Sequence, residues 1–154
     1  MEKAFIKQVI DLALANVRQG GGPFAALVVK DGAVIAAGAN LVTRTNDPTA
    51  HAEIVAIREA CRVLGTFRLS GCDIYTSCEP CPMCLGAVYW ARPARVLFAA
   101  TRTDASAAGF DDSLIYEQIE APPSERAIPM IRVQDEDGTR PFKEWESTPG
   151  KILY

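Results

Sequence analysis

At 154 residues, with 49% hydrophobic and 23% charged side chains, the chain has the length of one domain and an ordinary globular composition, which excludes disordered, collagen-like and solenoid architectures. No uninterrupted apolar run approaches the ~18 residues of a membrane span, and Met1-Glu2-Lys3-Ala4-Phe5 lacks the layout of a signal peptide, so a cytoplasmic protein with no membrane contact is expected. The net charge of −3 divides into +2 through Phe110 and −5 from Asp111 onward, an acidic C-terminal third that argues against nucleic acid as the partner.

Apolar residues recur with helical period from Phe5 to Val17 (Ile6, Val9, Ile10, Ala13, Leu14, Val17), and Gly20-Gly21-Gly22-Pro23 ends that helix. Two apolar runs, Phe24 to Lys30 and Ala33 to Gly38, flank Asp31-Gly32. That dipeptide predicts a hairpin, because both central residues of its turn need positive φ. A polar loop spans Asn40 to Asn46. Asp47-Pro48 then predicts a helix start, Asp as N-cap and Pro at the first position, with the helix running to Leu64 and stopping at Gly65. Cys72 to Ser77 reads as a strand, Pro80 to Arg92 as a helix and Arg95 to Ala100 as a strand. A short helical piece follows near Leu114 to Ile119, then a hinge at Pro122-Pro123, then a last strand from Ile128 to Val133. Hairpin, helix, strand, helix and strand in this order predict an α/β domain with helices packed on a mixed sheet.

The odd number of cysteines excludes a fully paired disulfide framework, and in a reducing compartment their clustering points to metal or chemistry. The only histidine lies in His51-Ala52-Glu53, and Pro80-Cys81-Pro82-Met83-Cys84 follows thirty residues later. This pairing is the H-x-E…P-C-x-x-C signature of zinc deaminases. Cys81 and Cys84, three apart, share one face of a helix. A helix N-terminus favours their thiolates by about 0.3–1 kcal/mol each at exposed sites. His51, Cys81 and Cys84 would hold one Zn²⁺ and leave one tetrahedral position for a reacting water. Glu53, on a different helical face from His51, is assigned as proton shuttle between that water, the substrate ring nitrogen and the leaving ammonia. Glu79 reads two ways, as a second proton carrier or as a helix-start carboxylate. The run Cys78-x-x-Cys81-x-x-Cys84 also suggests part of an iron–sulfur site, but lacks a fourth cysteine and leaves His51 and Glu53 unexplained. Cys61, Cys72 and Cys78 are read as packing residues.

The stretches Asn46-Asp47-Pro48-Thr49-Ala50-His51-Ala52-Glu53 and Ser77-Cys78-Glu79-Pro80-Cys81-Pro82-Met83-Cys84-Leu85-Gly86-Ala87 resemble the cytidine/deoxycytidylate deaminase superfamily. Gly22-Pro23-Phe24, Tyr89-Trp90-Ala91-Arg92-Pro93, Gly109-Phe110-Asp111-Asp112-Ser113 and the terminal Tyr154 extend the resemblance over nearly the whole chain, toward its bacterial guanine-deaminating branch. The resemblance implies a three-layer α-β-α fold with a mixed five-stranded sheet, and hydrolysis of guanine to xanthine and ammonia at the amino-bearing ring carbon. It implies that Asn40 and the backbone of Ala52 bond the purine edge, that Phe24 packs on the ring and that Trp90 lies near the pocket. Asp112 reads the donor groups of guanine or relays a proton; a helix cap before Ser113 is its other reading. Tyr154 would enter the site of a partner subunit in a homodimer that exchanges residues of about 124–154. The alternative reading is a related deaminase acting on cytosine, a cytosine nucleoside, an aminotriazine or tRNA adenosine. A third, a zinc-stabilised structural module, is disfavoured by Glu53 and the open coordination position.

Overall fold

Strand β1 (Ala25–Lys30) is apolar at nearly every position, with no alternation, because it is covered on both faces. Ala26 and Val28 enter one core cluster, and Ala25, Leu27 and Val29 enter another on the opposite face. β1 pairs antiparallel with β2 (Ala33–Ala39) and with β3 (Cys72–Cys78), and β3 pairs in parallel with β4 (Arg95–Ala100). The sheet order is β2-β1-β3-β4. The turn between β1 and β2 places Asp31 at φ 50° and Gly32 at φ 76°, as the Asp-Gly pair predicts. The computed structural model describes all residues, Met1–Tyr154, in two compact units, Met1–Asp112 and Ser113–Tyr154.

Helix α1 (Glu2–Arg18) lays Val9 and Ala13 against Leu27, Val29 and Tyr75, and the rings of Phe5 and Tyr75 meet at 5.1 Å. On the other face lie α3 (Ala52–Leu64) and α4 (Pro82–Ala91), which gives the three expected layers. α3 presents Ala52, Ala56 and Ala60 at helical spacing, all fully buried. It sits so close to β2 that a Cβ on Gly38 would stand 2.6 Å from Ala56 N and collide with Ala52 O. Glycine and alanine here set the height of α3 above the sheet.

Three expectations are corrected. The sheet has four strands, not five: residues 128–133 form no strand, and Ile128 and Val133 are 82% and 84% exposed. Pro129 supplies no backbone donor to a ladder at that position. The helix expected from Asp47-Pro48 begins at Ala52, with His51 as N-cap. The Asp47 carboxylate instead accepts the N–H and hydroxyl of Thr49 at 2.8 and 2.7 Å, closing a local turn that postpones the helix. The helix expected from Pro80 begins at Pro82, with Cys81 as N-cap.

A short α2 (Val42–Thr45) stands within the expected polar loop. After β4 comes α5 (Arg102–Ala107), opened by a capping box between Thr101 and Asp104. The second unit contains α6 (Ser113–Glu120), a 3-10 turn at Pro123–Glu125 and α7 (Arg140–Ser147). No helix is long and apolar enough to cross a membrane.

Candidate active site

Two helix N-termini supply the centre. His51 and Cys81 occupy the N-cap positions of α3 and α4 in extended conformation, and neither makes a side-chain capping bond. Their side chains turn toward each other, and Cys81 Sγ lies 3.5 Å from His51 Nδ1. Cys84 is on the first turn of α4 and fully buried. The donor atoms of His51, Cys81 and Cys84 all lie within 4.8 Å of one another. Donors around a tetrahedral Zn²⁺ stand about 3.6–3.8 Å apart, from the ordinary Zn–N and Zn–S lengths. One imidazole, two thiols and this spacing fit zinc.

The electrostatics prepare the sulfurs. The Cys84 thiol donates to Cys81, and that bond, more than the opposing burial, holds the Cys81 thiol down to about 4, with His51 adding to the effect. Cys84 is pushed up by the same shared proton, then by burial and the nearby Glu53. The bond to Cys81 raises His51 above the ordinary imidazole value. Two thiols sharing one proton are ready to lose it to a cation. Glu53, on the first turn of α3, is only 7% exposed, and burial is the main cause of its raised pKa.

The substrate-facing candidates are arranged unevenly. Asn40 is buried at the end of β2, its Oδ1 accepting the Val42 N–H at 3.3 Å. Ala52 is fully buried as the first residue of α3. Phe24 is half-buried and meets Phe110 edge-on at 4.9 Å. Asp112 lies 3.9 Å from Arg102 Nη2. Glu79 Oε2 accepts the backbone N–H of Arg102 at 3.0 Å, so its carboxylate holds the start of α5 rather than that of α4. Trp90 is 64% exposed on the last turn of α4, roughly 13 Å along the helix from Cys81 at 1.5 Å per residue. Tyr154 belongs to the second unit and is exposed.

Sequence reasoning missed Asn16. This side chain is buried in α1 and donates to Gly22 O at 2.8 Å and Asn40 O at 2.9 Å, fixing the backbone at Asn40. Its signal was available: a polar residue three positions after Ala13, on the buried stripe of the helix. Ser77 was also missed; its hydroxyl accepts the Ala25 N–H at 3.0 Å and ties β3 to the start of β1.

The sequence profile of the cytidine and deoxycytidylate deaminase zinc-binding region matches residues 1–100, and the chain belongs to that family. It is 55% identical to the guanine deaminase of Bacillus subtilis (strain 168), over 99% of this chain and 98% of that protein. The crystal structure of the Bacillus subtilis guanine deaminase superposes with a TM-score of 0.97 over the same shares of the two chains. A solved relative in complex with 2,6-diaminopurine is 41% identical with a TM-score of 0.71, covering 73% of this chain and 63% of that one. The tRNA-specific adenosine deaminase of Bacillus subtilis is 37% identical over 76% of this chain and 73% of its own length.

Proposed function

We propose that this chain is a zinc-dependent guanine deaminase, taking guanine and water to xanthine and ammonia. The observation that carries the reading is the 55% identity to a guanine deaminase over 99% of the chain, with a three-donor centre and a buried carboxylate beside it. His51, Cys81 and Cys84 would hold the zinc, which would supply a Lewis acid that makes a water acidic near neutral pH. Glu53 takes a proton from that water, delivers it to the ring nitrogen and assists departure of ammonia; the water oxygen becomes the new carbonyl of xanthine. Phe24 supplies a flat apolar wall. Asn40 and the N–H of Ala52 bond the purine edge, and Asp112 accepts from the N1–H and amino donors of guanine. The net −5 of the C-terminal third counts against tRNA as substrate.

The active form is read as a cytoplasmic homodimer, exchanging residues of about 124–154 so that Tyr154 reaches the partner's site. The reading is supported by the unpaired outer edge of β4, by the exposed apolar side chains of Ile128, Ile131 and Val133, and by the Pro122-Pro123 pair. A reducing compartment keeps the ligand thiols available. The test is a screen of free bases for ammonia release by the zinc-loaded protein, run beside Glu53→Gln. Guanine should be the preferred base, and Glu53→Gln should keep its zinc while kcat falls by about 10²–10⁴. Release from cytosine and none from guanine would overturn the reading.

A further inference from the structure

Arg102 belongs to no motif of the sequence, yet its backbone bonds Glu79 and its guanidinium approaches Asp112. Its backbone N–H is accepted by Glu79 Oε2 at 3.0 Å, and the Glu79 N–H in turn donates to Ala100 O at 2.9 Å. The start of α5 is thereby tied to a residue two positions before Cys81. The Thr101–Asp104 capping box fixes the same turn: Thr101 N donates to Asp104 Oδ2 at 2.8 Å and Asp104 N to Thr101 Oγ1 at 3.3 Å. At the other end of α5 the chain reverses through Gly109, at φ 92°, and the Phe110 N–H returns to Ala105 O at 3.0 Å. Phe110 then packs edge-on against Phe24. The loop that ends at Asp112 is held on one side by this ring pair and on the other by Arg102 Nη2, 3.9 Å from Asp112 Oδ1.

We propose that Arg102 is a positioning residue for Asp112, its guanidinium orienting that carboxylate toward the purine while Glu79 anchors Arg102 to the strand that leads into the metal centre. The proposal rests on the reading of Asp112 as an acceptor for guanine. The pair is partly exposed and long, so it adds little to folding stability. A misplacement of about 1 Å at a substrate-facing group can cost up to ~10²-fold in rate. Orientation is therefore the effect to look for, and it requires no contact between Arg102 and substrate.

The test is a double-mutant cycle on the zinc-loaded enzyme, with kcat and KM for guanine measured separately and zinc per chain as the folding control. Arg102→Ala should lower kcat/KM by about tenfold with zinc content unchanged, equivalent to about 1.4 kcal/mol. Arg102→Lys should recover most of the loss. In an Asp112→Asn background Arg102→Ala should cost less than about twofold more, because the two act through one interaction. Additive losses, or an Arg102→Ala enzyme with unchanged kcat/KM, would overturn the proposal while leaving Asp112 in place. Unchanged kcat/KM in Asp112→Asn would instead remove the acceptor reading of Asp112, and this proposal with it. If Arg102→Ala does not accumulate, Arg102→Gln carries the same cycle, keeping most of the side-chain length without the charge.

Discussion

Asn16 shows how a side chain in α1 can hold the backbone of a distant loop. Its Nδ2 donates to two carbonyls, one on Gly22 and one on Asn40, from inside α1. Together they fix the backbone at Gly22 and Asn40, from which the Asn40 side chain, the proposed purine contact, projects. Asn16→Ala leaves two acceptors without this donor, and a buried polar group left unpaired costs about 1–3 kcal/mol. The expected result is a thermal midpoint lowered by several degrees and a KM for guanine that rises more than kcat falls. A variant that lost stability while keeping its KM would confine Asn16 to folding. Cys84→Ser probes the centre itself: it replaces a buried thiol, which a bound cation would deprotonate, with a hydroxyl that stays protonated near neutral pH. Zinc per chain after dialysis, measured by atomic absorption, should fall well below one. Full occupancy would mean that Cys84 is not a ligand.

At the scale of elements, the decisive contact is that of α3 with β2. Gly38 lies beneath Ala52 and Ala56, and an added Cβ meets backbone atoms that cannot rotate away. Overpacking of this kind costs about 1–3 kcal/mol. Because His51 is the N-cap of α3, Gly38→Ala should also weaken zinc retention against a competing chelator, besides lowering the thermal midpoint. Unchanged zinc affinity in a destabilised variant would show that α3 moves without carrying its first turn. The same elements show what was legible in the sequence. The clustering of His51, Cys81 and Cys84 was, because a three-residue Cys spacing and the two helix N-termini encode it locally. The hairpin was, because Asp31 and Gly32 carry the φ requirement themselves. The start of α3 was misplaced by several residues because Asp47 is a good cap and a good turn former, and the turn with Thr49 prevailed. The bond from Asn16 was hidden because its acceptor on Asn40 lies twenty-four residues away, and that from the Arg102 N–H because Glu79 lies twenty-three away. The strand expected at 128–133 has β-branched residues, interrupted by Pro129; propensity for a pleated surface does not supply a neighbour to pair with.

At the scale of the molecule, β4 ends the sheet with an outer edge that no strand of its own chain pairs. Natural sheets shorten, charge or cover such edges, and β4 carries one charge, Arg95, which is committed to Asp73 at 2.6 Å and Glu2 at 2.9 Å. Cover by a second copy fits this edge and the exposed apolar side chains of the C-terminal segment. Sedimentation equilibrium should therefore give twice the 16.6 kDa chain mass, and removal of residues 124–154 should give monomers with little activity. A full-length protein that sediments as one chain while deaminating guanine would rule out the exchange.

The Ala–Gly contact between α3 and β2 also bears on how such an enzyme can change over evolutionary time. Side chains this small have no alternative rotamers with which to absorb a substitution, so inherited variation cannot drift gradually at that contact. The match to the family profile ends at residue 100, before α5 and the loop bearing Phe110 and Asp112. A change at the Ala–Gly contact is inherited together with its effect on His51, Cys81 and Cys84, all of which fall within the part of the chain shared with the family.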